Sequence, residues 1–299
     1  VSFRVIKAGF HSMIQDRGRF GLAHQGLSQC GVADEHAYCW ANHLLTNDRN
    51  DAVLEITFGS CELLVFTDTT IVVTGADLAF KVNGNSQPMW QVLAVNKGDT
   101  LTWSTPIMGV RAYLAVQGGL QTPHYFNSRS INIREQVGAL IKVGDELLSL
   151  ATKTKNVGKA MPVWFKPNYR EPLCLRILAS YQFEQFNEQQ RHTFFGQTYK
   201  VGKASDRTGC RLEGWPISNS PATMISEGMA YGSVEITTAG LPIILLKDAP
   251  TIGGYPKIGT VFSLDLAKLA QRQPGCDVRF ELIDIETAQP LRREFEQFF

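Results

Sequence analysis

No stretch of this 299-residue chain approaches the roughly 20 consecutive apolar residues that span a bilayer. Neither charge is in surplus: 29 basic and 28 acidic residues leave a formal +1, so no bulk field draws the chain to nucleic acid or an anionic membrane. The opening VSFRVIKAGFHSMIQD is interrupted by Arg4, Lys7 and Gly9 and lacks the apolar core of a secretory signal, which points to the cytoplasm. The six cysteines include no CxxC pair, and their wide, irregular spacing favours free thiols over a disulfide framework. There is no G-x-x-x-x-G-K-[ST] phosphate loop, no G-x-S-x-G elbow, no H-E-x-x-H pair and no Met-Lys-Met biotin-attachment site. Six histidines without a matching signature argue against a Ser-His-Asp triad.

What the chain does hold is short strands. Leu63–Phe66, Ile71–Thr74, Leu101–Trp103, Arg111–Val116, Leu173–Leu178, Tyr199–Val201, Ile243–Leu246 and Val278–Ile283 are branched or aromatic runs bounded by turn residues. Asn83-Gly84-Asn85 reads as a hairpin turn. KGDTLTW, VGDELLSL and PGCDVRFEL echo one another, each a Gly/Asp turn feeding a strand. Helices are few: Asp34 can cap Glu35–Thr46, Phe183–Phe195 is a second, Ser263 can cap Leu264–Arg272, and Arg292–Phe299 is a candidate fourth. Strands without βαβ alternation predict barrels or rolls, not a doubly wound sheet. The lysine- and proline-rich stretch from Thr152 to Pro172 reads as a linker, giving domains 1–155 and 156–299. His36, Cys39 and His43 share one face of the first helix, but Trp40 and its leucines explain that face by packing, so no metal is assigned.

Four constellations could carry chemistry. Gln15-Asp16-Arg17-Gly18-Arg19 sets two arginines beside a carboxylate, either an anion fork or a turn in which Asp16 caps amides and the arginines pair at the surface. Ser128-Arg129-Ser130 is either a cradle for a carboxylate or phosphate, or a satisfied loop. Asp206 and Arg207, in Ser205-Asp206-Arg207-Thr208-Gly209, could pair with Asp248 or Lys257, as site or as scaffold. The richest segment is Leu241–Gly259, LPIILLKDAPTIGGYPKIG, an apolar strand emptying into a charged glycine turn. There Asp248 is the candidate carboxylate and Lys257 the candidate cation, with Thr251 and the Gly253 and Gly254 amides as donors and Tyr255 beside them.

That turn resembles the ADRQTTGGYPKI-type signature of the allophanate-hydrolase-subunit-2 family, whose best-defined members are the C-type subunits of the bacterial three-part 5-oxoprolinase. The family is related to the carboxyltransferase half of urea carboxylase and to a kinase-inhibitor antagonist. Gln15–Arg19 with Gly21 and Gly26, Leu54-Glu55-Ile56, Arg111–Val116 with Gly118-Gly119, and Ser205–Gly214 match in the family's order. The resemblance implies two tandem cyclophilin-like β-barrel domains, mainly β with a few helices. It implies a component of an ATP-dependent complex opening 5-oxo-L-proline to L-glutamate, with ATP and its usual magnesium counter-ion. The A-type and B-type subunits of 5-oxoprolinase would be its partners, the B-type most directly. Catalytic roles would then fall to Asp248, Lys257 and Arg129. Binding would fall to Thr251, Gly253, Gly254, Tyr255, Ser128, Arg207, Asp206, Arg17 and Arg19. Two alternatives stand beside it. One is a carboxyltransferase half-site for a urea-like amide, with biotin on a separate protein; the other is a non-enzymatic antagonist of a kinase inhibitor. The chain departs from the pattern at Ala249-Pro250, where the family has Arg-Gln, at Asn127 and Ile131, and at Glu235, where the family has a neutral amide.

Overall fold

The structure, a computed structural model, describes residues 2–150, 156–218 and 225–299. The division at 155/156 and the head of the expected linker, residues 152–155, lie outside the described residues. The chain is mainly β, with four α-helices among the described residues. It forms two compact units, Val1–Arg19 with Cys30–Arg170 and Phe299, and Phe20–Gln29 with Glu171–Phe298.

The first unit carries two antiparallel sheets. One orders Glu146–Leu147, Phe3–Ala8, Cys61–Val65, Thr100–Trp103, Lys81–Val82 and Asn85–Ser86; the other orders His11–Gln15, Val53–Thr57, Met108–Val116, Thr69–Asp77 and Val92–Val95. Cys61–Val65 alternates between buried and half-buried positions, the mark of a strand with one face on the core. Thr69–Asp77 is buried almost throughout, since Ile71 and Val73 enter the main core while Val72 packs with the helix Glu35–Leu45. That helix starts where Asp34 accepts from Ala37 N at 2.9 Å, and it buries Tyr38, Trp40, Ala41, Leu44 and Leu45. Asn83 and Gly84 both have positive φ, 50° and 78°, as a two-residue hairpin with right-handed strand twist demands. The three echoing turns share a physical cause: Gly98, Gly144 and Gly275 all sit at φ near 90°, a region that penalises a Cβ.

In the second unit seven strands close a barrel in the order Leu173–Ala179, Lys257–Val261, Ser233–Ile236, Pro242–Leu245, Gly209–Glu213, Tyr199–Val201 and Asp277–Leu282. Leu173–Ala179 and Asp277–Leu282 run parallel. The interior is filled by Leu175, Ile177, Phe194, Tyr199, Val234, Ile236, Ile244, Ile258 and Val278, all fully buried. Each such aliphatic or aromatic side chain contributes about 1.5–3 kcal/mol relative to exposure. Three helix bounds differ from the sequence reading. Phe183–Gln185 is a 3-10 turn and the helix is Glu188–Gly196, because Asn187 and Gln190 form a reciprocal capping box that starts it there. Ser263 lies inside the helix Ser263–Leu269, not at its cap. The terminal helix is Ile285–Phe298, beginning seven residues before the expected Arg292 and carrying Pro290 within it.

Candidate functional site

In the first unit the Gln15–Arg19 and Ser128–Ser130 motifs form one knot. Asp16, 1% exposed, ends the strand His11–Gln15. Its Oδ1 accepts from Ser128 Oγ at 2.7 Å, Ser130 Oγ at 2.6 Å and Gly18 N at 2.8 Å, and its Oδ2 from Arg129 N at 2.6 Å. Four donors on one carboxylate hold the two loops together. Arg19 is no surface arginine: it is 2% exposed, and its Nη2 donates to Ser130 O. Arg17 pairs with Glu35 at 3.7 Å and lines a cavity of about 230 Å³ with Cys39, His43 and Lys159. Burial, and then the charge of Lys159, push the His43 imidazole below its usual range. Arg129 donates from Nη2 to Gln121 Oε1 at 2.8 Å. Two departures are explained locally. Asn127 takes the family's glycine position at φ 61°, a left-handed conformation that asparagine tolerates. Ile131 is buried in the core, its Cδ1 2.2 Å from where a Cβ on Gly138 would lie, so the lost hydroxyl is replaced by packing.

The second unit builds its charged turn from two ion pairs. Arg207 and Asp248 meet side-on, Nε to Oδ2 at 2.9 Å and Nη2 to Oδ1 at 3.1 Å, and each is 6% exposed. Asp248 N donates to Arg207 O at 2.9 Å, which fixes the two loops by backbone as well. The guanidinium beside Asp248 thus comes from Arg207, not from position 249. Asp206 caps the adjoining turn, accepting from Thr208 N at 2.7 Å and Gly209 N at 3.1 Å. Lys257 opens a barrel strand, 9% exposed, its ammonium paired with Glu227 and 5.4 Å above the Tyr181 ring. Gln182 braces this group: its Oε1 accepts from Lys257 N at 2.6 Å and its Nε2 donates to Glu227 Oε1 at 2.9 Å. Arg207, Asp248 and Lys257 are therefore buried, while Glu227 stays about a third exposed, so the Arg207–Asp248 pair is interior and the Lys257–Glu227 pair sits at its edge.

Glu227 and Gly228 pair with Gly253 and Ile252 in a two-stranded ribbon, and Thr251 O accepts from Met229 N at 2.9 Å. Neither Gly253 nor Gly254 has a positive φ, so unusual backbone angles are not the reason for glycine here. The reason at Gly253 is space: a Cβ there would stand 2.7 Å from Glu235 Oε1 and 3.1 Å from the Met229 side chain. Tyr255 is 36% exposed at the edge of the turn. Among the candidates, the structure brings Arg207 to Asp248, Ser128 and Arg129 to Asp16, and Lys257 to the turn of Gly253. Sequence reasoning missed Glu227, Tyr181 and Gln182. They carry no motif, and only barrel closure sets them against Lys257. Among the described residues no group of three His, Cys, Asp or Glu side chains is placed to hold a metal ion, and no helix is long and apolar enough to cross a membrane.

The model of the carboxyltransferase domain, subdomains A and B, matches residues 25–282. The chain belongs to this carboxyltransferase-domain family. It is 32% identical to the 5-oxoprolinase C subunit of Haemophilus influenzae, over 95% of this chain and 92% of that protein. It is 30% identical to the 5-oxoprolinase C subunit of Escherichia coli, over 99% and 96%. The crystal structure of Kluyveromyces lactis urea carboxylase superposes with a TM-score of 0.92 at 25% identity, covering 99% of this chain and 28% of that one. Both the mainly β architecture and the family resemblance read from the sequence are thus shown.

Proposed function

We propose that the chain is the C-type subunit of an ATP-dependent 5-oxoprolinase, acting in the cytoplasm on 5-oxo-L-proline together with A- and B-type subunits. The observation that carries this is near full-length similarity to two proteins named as the C subunit of 5-oxoprolinase. The chemistry is consistent with it. An unstrained lactam resists water, so the γ-phosphoryl of ATP passes to the lactam oxygen and ADP leaves. Water then adds to the activated carbon and loses a proton. The C–N bond breaks with the nitrogen leaving as the amine, which leaves an acyl phosphate, and a second water hydrolyses that to glutamate and phosphate. The transition states carry anionic oxygens, which fixed cations and N–H groups stabilise. Lys257, buried and paired with Glu227 of the ribbon that holds Gly253, is assigned to those oxygens, and Arg129, in the first unit, is assigned to binding an anionic group. Thr251 and the amides of Gly253 and Gly254 are assigned as donors, with Tyr255, Ser128, Asp206, Arg17 and Arg19 in supporting binding roles. Asp248 acts as a unit with Arg207, since both its oxygens are engaged. Magnesium enters as the counter-ion of ATP, and no step is assigned to a metal held by this chain. The urea carboxylase superposition favours a second reading, transfer of a carboxyl group from biotin on another protein to a urea-like amide. Co-expression with A- and B-type partners tests the first reading. Copurification and glutamate release from 5-oxoproline support it. Carboxyl transfer from a biotin protein without lactam opening supports the second. Assembly without either activity would favour an antagonist that only binds.

A further inference from the structure

Glu235 is the departure that the proposed chemistry leaves unused. It lies in the strand Ser233–Ile236, directly opposite Lys257 in the register of the neighbouring barrel strand. Residues so paired project to one face with Cβ atoms about 4.5–5.5 Å apart. The carboxyl is 6% exposed and accepts from the Tyr255 backbone. Its Oε1 has no hydrogen-bond partner and faces Gly253, 2.7 Å from the place a Cβ would take. The strand on its other side sets the uncharged Ile243 opposite it. The charged and titratable residues around it are therefore Lys257, Tyr255 and, beyond that ammonium, Glu227 and Tyr181.

Two carboxylates thus flank one ammonium. Glu227 keeps its side chain about a third exposed whereas Glu235 is buried, so the cost of ionising falls on Glu235, whose charge Lys257 must offset. The environments divide the roles. Burial pushes Glu235 above the usual carboxylate range, whereas hydrogen bonds from Lys257 and then Tyr181 hold Glu227 below it. A glutamine at position 235, as in the family pattern, has no proton to lose. We infer that Glu235 is a positioning residue for Lys257: while protonated it leaves the ammonium with Glu227 at the Gly253 turn, and once ionised it draws the ammonium across the strand pair. Only the consequence for turnover rests on the function proposed above.

The test uses the isolated full chain with 13C-labelled glutamate and lysine, titrated from acid to mildly alkaline pH. Glu235 Cδ is expected to titrate above the ordinary glutamate value of about 4.3. Lys257 Cε is expected to shift at the same midpoint. That lysine step disappears in Glu235→Gln. In Glu227→Gln, with the competitor neutralised, the Glu235 midpoint moves down. A Lys257 resonance that stays flat while Glu235 ionises overturns the inference, as does an ordinary Glu235 titration. In an active reconstituted complex, kcat should fall through the Glu235 midpoint while KM changes less, and the Glu235→Gln profile should lack that limb. An inactive complex bears on the proposed function, and the resonances still decide the position of Lys257.

Discussion

Removing the carboxylate of Asp248 separates a buried pair from a surface one. Asp248→Ala leaves the Arg207 guanidinium 6% exposed with its two side-on bonds, at 2.9 and 3.1 Å, gone. Breaking a buried pair from one side typically costs about 3–5 kcal/mol, because the remaining charge stays in the interior unpaired. A surface pair is worth under about 1 kcal/mol. With a urea slope of about 2 kcal/mol/M, the buried case moves the unfolding midpoint by about 2 M and the surface case by less than about 0.5 M. Arg207→Ala should show a comparable loss. The double variant Arg207→Ala/Asp248→Ala should lose far less than the two single losses summed, since no lone charge remains. Urea unfolding of the four proteins, followed by circular dichroism, gives the cycle. A shift below about 0.5 M for Asp248→Ala would refute the reasoning, as would additive losses in the double variant.

Further outcomes follow from other residues. Lys257→Ala should reduce turnover of the assembled complex by about a hundredfold to a thousandfold, the loss of one oxyanion contact worth about 2.7–4 kcal/mol, with circular dichroism and melting temperature as fold controls. Gly259→Ala should lower the melting temperature by overpacking worth at least about 1–3 kcal/mol, because its Cβ would lie 2.2 Å from Ile177 Cγ2 and 2.6 Å from Leu178 O. Burial pushes the Cys61 thiol up to about 12, so native Cys61 should resist thiol reagents at neutral pH while exposed Cys174 reacts first, as peptide mapping of the labelled protein will show. The sign for stability follows. Folded Cys61 keeps its proton above the unfolded value near 9, so its contribution is full below that pH and is lost as pH rises toward 12.

Much of the scaffold could be read from the chain because its signals are local. The eight strands expected from branched and aromatic runs all occur, and the Asn83-Gly84 turn announces its hairpin by conformational preference alone. The helix after Phe183 started late because apolar periodicity spoke louder than the cap at Asn187. The candidate site was legible only in part. Asp248 and Lys257 stand in a recognisable turn, but burial is a property of barrel closure, so a sequence reading could not separate a surface pair from an interior one. Lys257's partners come from segments 30 and about 75 residues away, Glu227 and then Tyr181 and Gln182, with nothing in their local sequence to mark them. Gly253 shows the same limit. Glycine in such a turn ordinarily signals backbone freedom, whereas here the structure requires it for the space beside Glu235.

The central claim is that this chain serves ATP-dependent opening of a lactam through the turn that holds Lys257. The most direct measurement mixes the purified chain with its A- and B-type partners, 5-oxoproline and ATP, and follows ADP and glutamate together. The account predicts that both appear in equal amounts only when all three proteins are present, and that Lys257→Ala suppresses both. Robust glutamate release by this chain alone, or full coupled turnover with Lys257→Ala, would contradict it.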